Sequence, residues 1–147
     1  MTALGLIPRK MKKVDLSDAY AIESSVQKYP WSEANFLASL SQGEEGIIVE
    51  LANEIIGFVL FHKVLDEATI LDIAVKRNYQ GMGVGKLLIE SVISQCQCRL
   101  FLEVRESNQR AKRFYEHFEF HEIGQRNAYY PTETAREDAI VMMKEKQ

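Results

Sequence analysis

Gln80-Gly81-Met82-Gly83-Val84-Gly85 sets three glycines within five positions directly ahead of a helical pattern of apolar residues. Such a turn suits an anion. Glycine lets successive N–H groups aim at one point and lets a bulky charged group come close to the chain. The start of a helix adds unpaired N–H groups and the positive end of its dipole. Gly81, Met82, Gly83, Val84 and Gly85 are therefore candidate phosphate contacts, with Lys86 adding a charge at the rim. Two familiar nucleotide motifs fail on spacing. A dinucleotide turn needs Gly-x-Gly-x-x-Gly straight after a strand, whereas here the third glycine comes one residue early and polar Lys76 to Gln80 intervenes. A Walker loop would need one more residue between Gly81 and Gly85, and a Ser or Thr where Leu87 stands to hold magnesium. A glycine-rich turn with no ligand is the competing reading.

The elements around the turn must aim it into a cleft. Met11 to Val14 reads as a short strand, and Asp15 or Ser17 can cap a helix to about Gln27. After the break at Tyr29-Pro30-Trp31, Ser32 can cap a second helix with Phe36, Leu37 and Leu40 on one face. Ile47 to Leu51, Ile55 to Val64 and Ala68 to Val75 are β-rich and joined by short polar links that suit antiparallel hairpins. Val84, Leu87, Leu88, Ser91, Val92 and Gln95 then recur at helical spacing. Arg99 to Val104 follows as a strand and Asn108 to about Phe118 as a helix, striped by Ala111, Phe114, Tyr115 and Phe118; Glu119 to Arg126 and Ala139 to Lys144 complete the strands. The order predicts an α/β fold with a mixed, mostly antiparallel sheet, flanking helices and one parallel strand-helix-strand crossover. Ligands sit at the carboxyl edge of such a crossover, so the cleft should gather Ile73, Ala74 and Val75, Gln80 to Lys86, and Glu103.

A chain of 147 residues is the size of one domain, taken as residues 1–147. The net charge of -3 argues against direct nucleic-acid binding while tolerating basic protein partners. No apolar run reaches the ~18 residues of a membrane span and no signal-peptide pattern opens the chain, so a cytosolic protein without a membrane anchor is expected. Cys96 and Cys98 are spaced for neither a disulfide nor a zinc half-site, and His62, His117 and His121 supply no ligand set beside them. Two reduced thiols near a helix end are expected. The sequence carries no signal for oligomeric state.

The segment from Val75 to Leu88 resembles the signature of the GCN5-related N-acetyltransferases, Gln/Arg-x-x-Gly-x-Gly/Ala after a strand, met here by Gln80, Gly83 and Gly85. Asn108, Ala111, Phe114-Tyr115 and Phe118-Glu119-Phe120 are similar to that family's next motif. Within the family, the likeness extends to the bacterial branch that acetylates the N-terminal alanine of a small-subunit ribosomal protein. It is carried by Pro30-Trp31-Ser32-Glu33, Leu65-Asp66-Glu67-Ala68-Thr69, Leu102-Glu103-Val104-Arg105, Tyr129-Tyr130-Pro131-Thr132 and Arg136-Glu137-Asp138-Ala139-Ile140. Two departures are a loop lengthened by Ala128 before the tyrosine pair and a short connection at Gln95 to Cys98.

The resemblance implies acetyl-CoA as co-substrate, no metal, and the N-terminus of a ribosomal protein as acceptor. It assigns Glu103 as general base and Tyr115 as general acid toward the departing thiolate. Backbone at Ile73, Ala74 and Val75 would cradle the acetyl and pantetheine arm at a strand irregularity, and Asn108 would bond CoA or cap its helix. An α-amine, with a pKa of ~7.7 to 8 against ~10.4 for lysine, asks less of a carboxylate base. Competing readings are a Glu103 ion pair with Arg105 and a Tyr115 ring claimed by the core. Tyr129, Tyr130, Pro30 and Trp31 are candidate walls for the acceptor. A same-fold enzyme for small amines or lysine side chains and a catalytically silent CoA-binding module are the alternative functions.

Overall fold

The computed structural model describes residues 5–131 and 136–146, so Thr132 of the resemblance lies outside the described residues. The strands are β1 (Ile7–Lys10), β2 (Glu45–Leu51), β3 (Glu54–Val64), β4 (Glu67–Val75), β5 (Arg99–Arg105), β6 (His121–Pro131) and β7 (Arg136–Lys144). The helices are α1 (Leu16–Val26), α2 (Glu33–Ala38), α3 (Val84–Cys96) and α4 (Gln109–Glu116). They build one mixed sheet in the order β1-β2-β3-β4-β5-β7-β6, antiparallel except between β4 and β5. One face packs Ile47, Val59, Phe61 and Ile70 against Leu88, Val92 and Tyr115 from α3 and α4. The other packs Ile48, Phe58 and Leu60 against Leu16, Ile22 and Phe36 from α1 and α2.

The first strand lies earlier than expected. Pro8 is accommodated on the sheet edge, and Met11 instead turns its side chain into the core while its N–H donates to the Gly46 carbonyl at 2.8 Å. Asp15 stands ahead of α1 without capping it. Its carboxylate takes the Arg9 guanidinium through both oxygens, at 2.8 and 2.9 Å, and the Lys12 N–H at 2.7 Å. Those bonds hold the Asp15 carboxyl below the usual range, Arg9 first. Ser32 does cap α2, accepting the Asn35 N–H at 3.2 Å. Within that short helix Phe36 is buried while Leu37 is 42% exposed, because neighbours in sequence cannot share one helical face.

Two irregularities shape the site. In β4, Ile70 faces Phe61 and Asp72 faces Leu60, leaving Leu71 as an extra residue. The alternation that sends Ala68 and Ile70 toward α3 is thereby broken, and Leu71 and Asp72 both serve the α1 side. In β6 the strand runs on to Pro131 rather than ending at Arg126, so the tyrosine pair is strand and not loop. Ala128 sits at φ 50° inside a register shift between Arg126 and Tyr130, its N–H held by Asp138 Oδ1 at 2.7 Å. The short connection after α3 turns on Gln97 at φ 47°. Cys96 and Cys98 beside it are free and buried.

Gly57 on β3 is the closest approach of sheet to helix. A Cβ there would meet Val84 Cγ1 at 2.8 Å and the Ala74 carbonyl at 3.2 Å. Gly57→Ala should therefore push the first turn of α3 outward and cost about 1–3 kcal/mol, read as a lower urea midpoint. An unchanged midpoint would mean that the helix start yields freely.

Candidate functional site

The glycine turn joins β4 to α3 and is braced from both ends. The Gln80 amide donates to the Val75 carbonyl at 3.0 Å, and the Lys76 N–H donates to Ile56 on β3 at 2.8 Å. Gly81 and Gly83 lie at φ 83° and 87°, where a side chain is strained whatever the space around it. Gly85 differs: its φ is not left-handed, and a Cβ there would meet the Phe114 ring on α4 at 3.4 Å, an ordinary contact. Leu87 N–H returns to the Gly83 carbonyl at 3.0 Å as the helix closes its first turn, which leaves the N–H groups of Val84, Gly85 and Lys86 at its open end. The Val84 side chain is 1% exposed and belongs to the core, so that residue can offer a ligand only its backbone. Lys86 is exposed and Met82 half-buried on the same turn.

Beside the turn, the sheet opens. β4 and β5 pair through Glu67 with Arg99, Ala68 with Leu100 and Thr69 with Phe101, and no further. Ile73, Ala74 and Val75 are held on their β3 side by Val59, Phe58 and Gly57, leaving the other edge of β4 to the gap. Glu103 stands across it on β5. Its Oε1 lies 3.5 Å from Arg126 Nε, and its Oε2 is buried without a hydrogen-bond partner. Arg105 is not its ion pair, since it bonds Glu137 at 3.1 Å and the Pro131 carbonyl at 2.7 Å.

Tyr115 is packed as the core reading expects, with titratable groups beside its hydroxyl. The ring is packed between Phe114 and Phe120, with centroids at 5.2 and 5.6 Å. Its hydroxyl nonetheless lies near enough to Asp72 on β4 and Tyr130 on β6 to feel both, and burial first, then these neighbours, hold its proton well above the ordinary phenol range. Asn108 caps α4 by accepting the Ala111 N–H at 3.0 Å.

Tyr29 and Asp72 escaped the sequence reading, whereas Tyr130 and Trp31 were candidate walls. Tyr130 donates its hydroxyl to the Glu103 carbonyl at 3.1 Å, and burial and then Glu103 push that phenol up to about 12. The Arg105 guanidinium lies between the rings of Tyr29 and Tyr130, at 4.4 and 4.6 Å, tying the loop after α1 to β6. Asp72 meets Glu23 and Gln27 of α1 beneath that loop. Trp31 packs edge-to-face with Phe36 at 6.0 Å, which is core packing. The missed residues had no periodic signal; a bulge brought Asp72 to α1 and a stack brought Tyr29 to Arg105. Among the described residues no three His, Cys, Asp or Glu side chains converge to hold a metal, and no helix is long and apolar enough to cross a membrane.

The glycine turn at the start of α3 thus lies beside the parting of β4 and β5, with Glu103 across the gap. Residues 13–120 match the model of the acetyltransferase (GNAT) family. The chain belongs to the GNAT family. It is 41% identical over 138 residues to the ribosomal protein bS18-alanine N-acetyltransferase of Escherichia coli strain K12, covering 90% of this chain and 92% of that one. The enzyme of the same name from Haemophilus influenzae is 40% identical over 140 residues, covering 90% and 94%. A crystal structure of the ribosomal-protein-S18-alanine N-acetyltransferase from Escherichia coli superposes with a TM-score of 0.91 at 35% identity, over 97% and 94% of the two chains. The fold class, the glycine turn on a parallel crossover and the GNAT resemblance are thus confirmed.

The open N–H groups and left-handed glycines fit a pyrophosphate, the anion that coenzyme A would bring to this turn. Gly83→Val should weaken coenzyme A binding about tenfold, because a β-branched residue at that φ costs on the order of 1–2 kcal/mol. Equal affinity by calorimetry would place the pyrophosphate elsewhere.

Proposed function

We propose that the protein transfers acetyl from acetyl-CoA to the α-amine of the N-terminal alanine of ribosomal protein bS18. The observation that carries this reading is the likeness, along nearly the whole chain, to enzymes named for that reaction. Gly81 to Lys86 would hold the pyrophosphate, Asn108 would contact the cofactor where its helix begins, and the open edge at Ile73 to Val75 would carry the acyl arm. Bound there, the cofactor supplies an activated acetyl group.

The chain's own residues then have defined tasks. Glu103 Oε2, buried and unpartnered, takes the proton of the α-ammonium, while Arg126 lies beside Oε1. Tyr115 keeps its hydroxyl proton at neutral pH and can release it toward the departing sulfur. Tyr130, Tyr29 and Trp31 wall the acceptor's approach. The acids around the gap are compensated, Glu103 by Arg126 and Glu137 by Arg105. That supports a single amine over a polycation as acceptor.

Incubating the protein and acetyl-CoA with unacetylated bacterial small-subunit proteins, then mapping acetyl groups by peptide mass, should find label on the bS18 N-terminus. Label confined to lysines would overturn the α-amine reading. Glu103→Gln and Tyr115→Phe should each lower kcat about a hundredfold or more while leaving acetyl-CoA affinity within about twofold. Wild-type turnover in both variants would remove their assigned roles.

A further inference from the structure

Glu23 on α1 and Asp72 on β4 have no part in the chemistry above, yet they meet beside it. Glu23 is 1% exposed, and its Oε2 accepts the Trp31 N–H at 3.0 Å. Asp72 Oδ1 accepts from the Gln27 amide at 3.2 Å, and the same amide nitrogen donates to the Ile73 carbonyl at 3.0 Å. The remaining oxygens, Glu23 Oε1 and Asp72 Oδ2, are buried without a partner, and Glu23 stands close enough to Asp72 to raise its hold on a proton. Their other partners, an amide side chain and a backbone N–H, are uncharged. Two bare carboxylates so placed would repel in a medium that solvates neither. One proton between them removes the repulsion and satisfies both orphaned oxygens.

What the pair joins gives it a purpose. Through Glu23 it fixes the N–H of Trp31, whose carbonyl is held by the Tyr20 hydroxyl at 2.8 Å. Through Gln27 it fixes Ile73, the first residue of the open edge of β4. One wall of the acceptor's approach and the strand facing the acyl group are thus pinned to the same two side chains.

We propose that Glu23 and Asp72 form a carboxyl pair sharing one proton, and that this pair is a positioning element for acetyl transfer, locking the Trp31 wall against the Ile73 to Val75 edge. The positioning role rests on the acetyltransferase reading; the shared proton does not. Of the charged and titratable groups, Tyr115 from α4 faces Asp72 directly, Tyr130, Glu103 and Arg105 lie beyond Tyr115, Tyr20 of α1 bonds the Trp31 carbonyl and Arg77 the Ser25 carbonyl of α1, while β3 sets apolar Leu60 opposite Asp72.

Burial and then Glu23 push the Asp72 carboxyl up to about 9. In the unfolded chain an Asp loses its proton near pH 4, at about 3.9. Across the interval between, the native state holds the extra proton, so this group makes stability fall as pH rises, and the fall ends above the folded value. Asp72→Asn supplies a permanent N–H donor toward Glu23 and removes the titration. The melting temperature of Asp72→Asn minus that of the wild type should therefore grow between about pH 5 and 9 and level off beyond. The same substitution should shift the alkaline limb of kcat/KM upward by about one unit or more relative to the wild type, with Tyr115 intact in both proteins. Asp72→Ala, which leaves Glu23 without its donor, should raise acceptor KM severalfold and keep the wild-type coenzyme A affinity.

A melting difference independent of pH would overturn the shared proton. A pH-dependent difference with an unmoved alkaline limb would reduce the pair to a structural contact and overturn the positioning role. A pH-dependent difference in a protein that acetylates no amine would overturn the positioning role together with the functional reading and leave the proton assignment standing.

Discussion

β4 and β5 are neighbours for three residue pairs and then part, and the site exists because they do. A continuous parallel ladder would satisfy the edge of Ile73 to Val75 and close the space between that edge and Glu103. Parting leaves backbone groups that must be met by something else, and a bound acyl arm is the chemistry suited to them. The extra residue at Leu71 serves the same opening, because it changes which face Asp72 presents just where the pairing with β5 has stopped. Gln80, reaching back to the Val75 carbonyl, fixes the glycine turn at the mouth of that opening.

An opening in a sheet needs support from outside it. Arg105 supplies much of it here: bonded to Glu137 and Pro131 and stacked between Tyr29 and Tyr130, it connects β5, β6, β7 and the loop after α1 at one point. Below the gap, the aromatic run of Phe114, Tyr115, Phe118 and Phe120 holds α4 against the sheet. The same packing that makes Tyr115 part of the core keeps its phenol protonated. Burial of the ring is itself the cause of the raised proton affinity, so a core position is compatible with the proposed acid role.

Most of the architecture was legible in the sequence. The β2–β3–β4 meander announced itself by β-branched runs, α3 by Val84, Leu88 and Val92, and the anion turn by glycines whose positive φ the backbone does require. Where the reading slipped, the deciding interaction was between distant residues. Asp15 looked like a helix cap and is instead committed to Arg9; Tyr129 and Tyr130 looked like loop because Ala128 interrupts a strand that continues past it. For Glu103 an ion pair with Arg105 was a competing reading, and the cation beside it is instead Arg126 on β6. Alternation and periodicity describe one element at a time, and a bulge or a stack belongs to two.

The sheet order also has a temporal side. β2, β3 and β4 pair with their neighbours in sequence, so their contacts close short loops. β5 reaches β4 only across α3, and it reaches β7 across α4 and β6. Local pairings carry the smaller entropic cost and tend to form sooner. The gap between β4 and β5 is then the seam where an early hairpin array meets a late-arriving one, and an incompletely assembled chain would expose that seam before the glycine turn had anything to face.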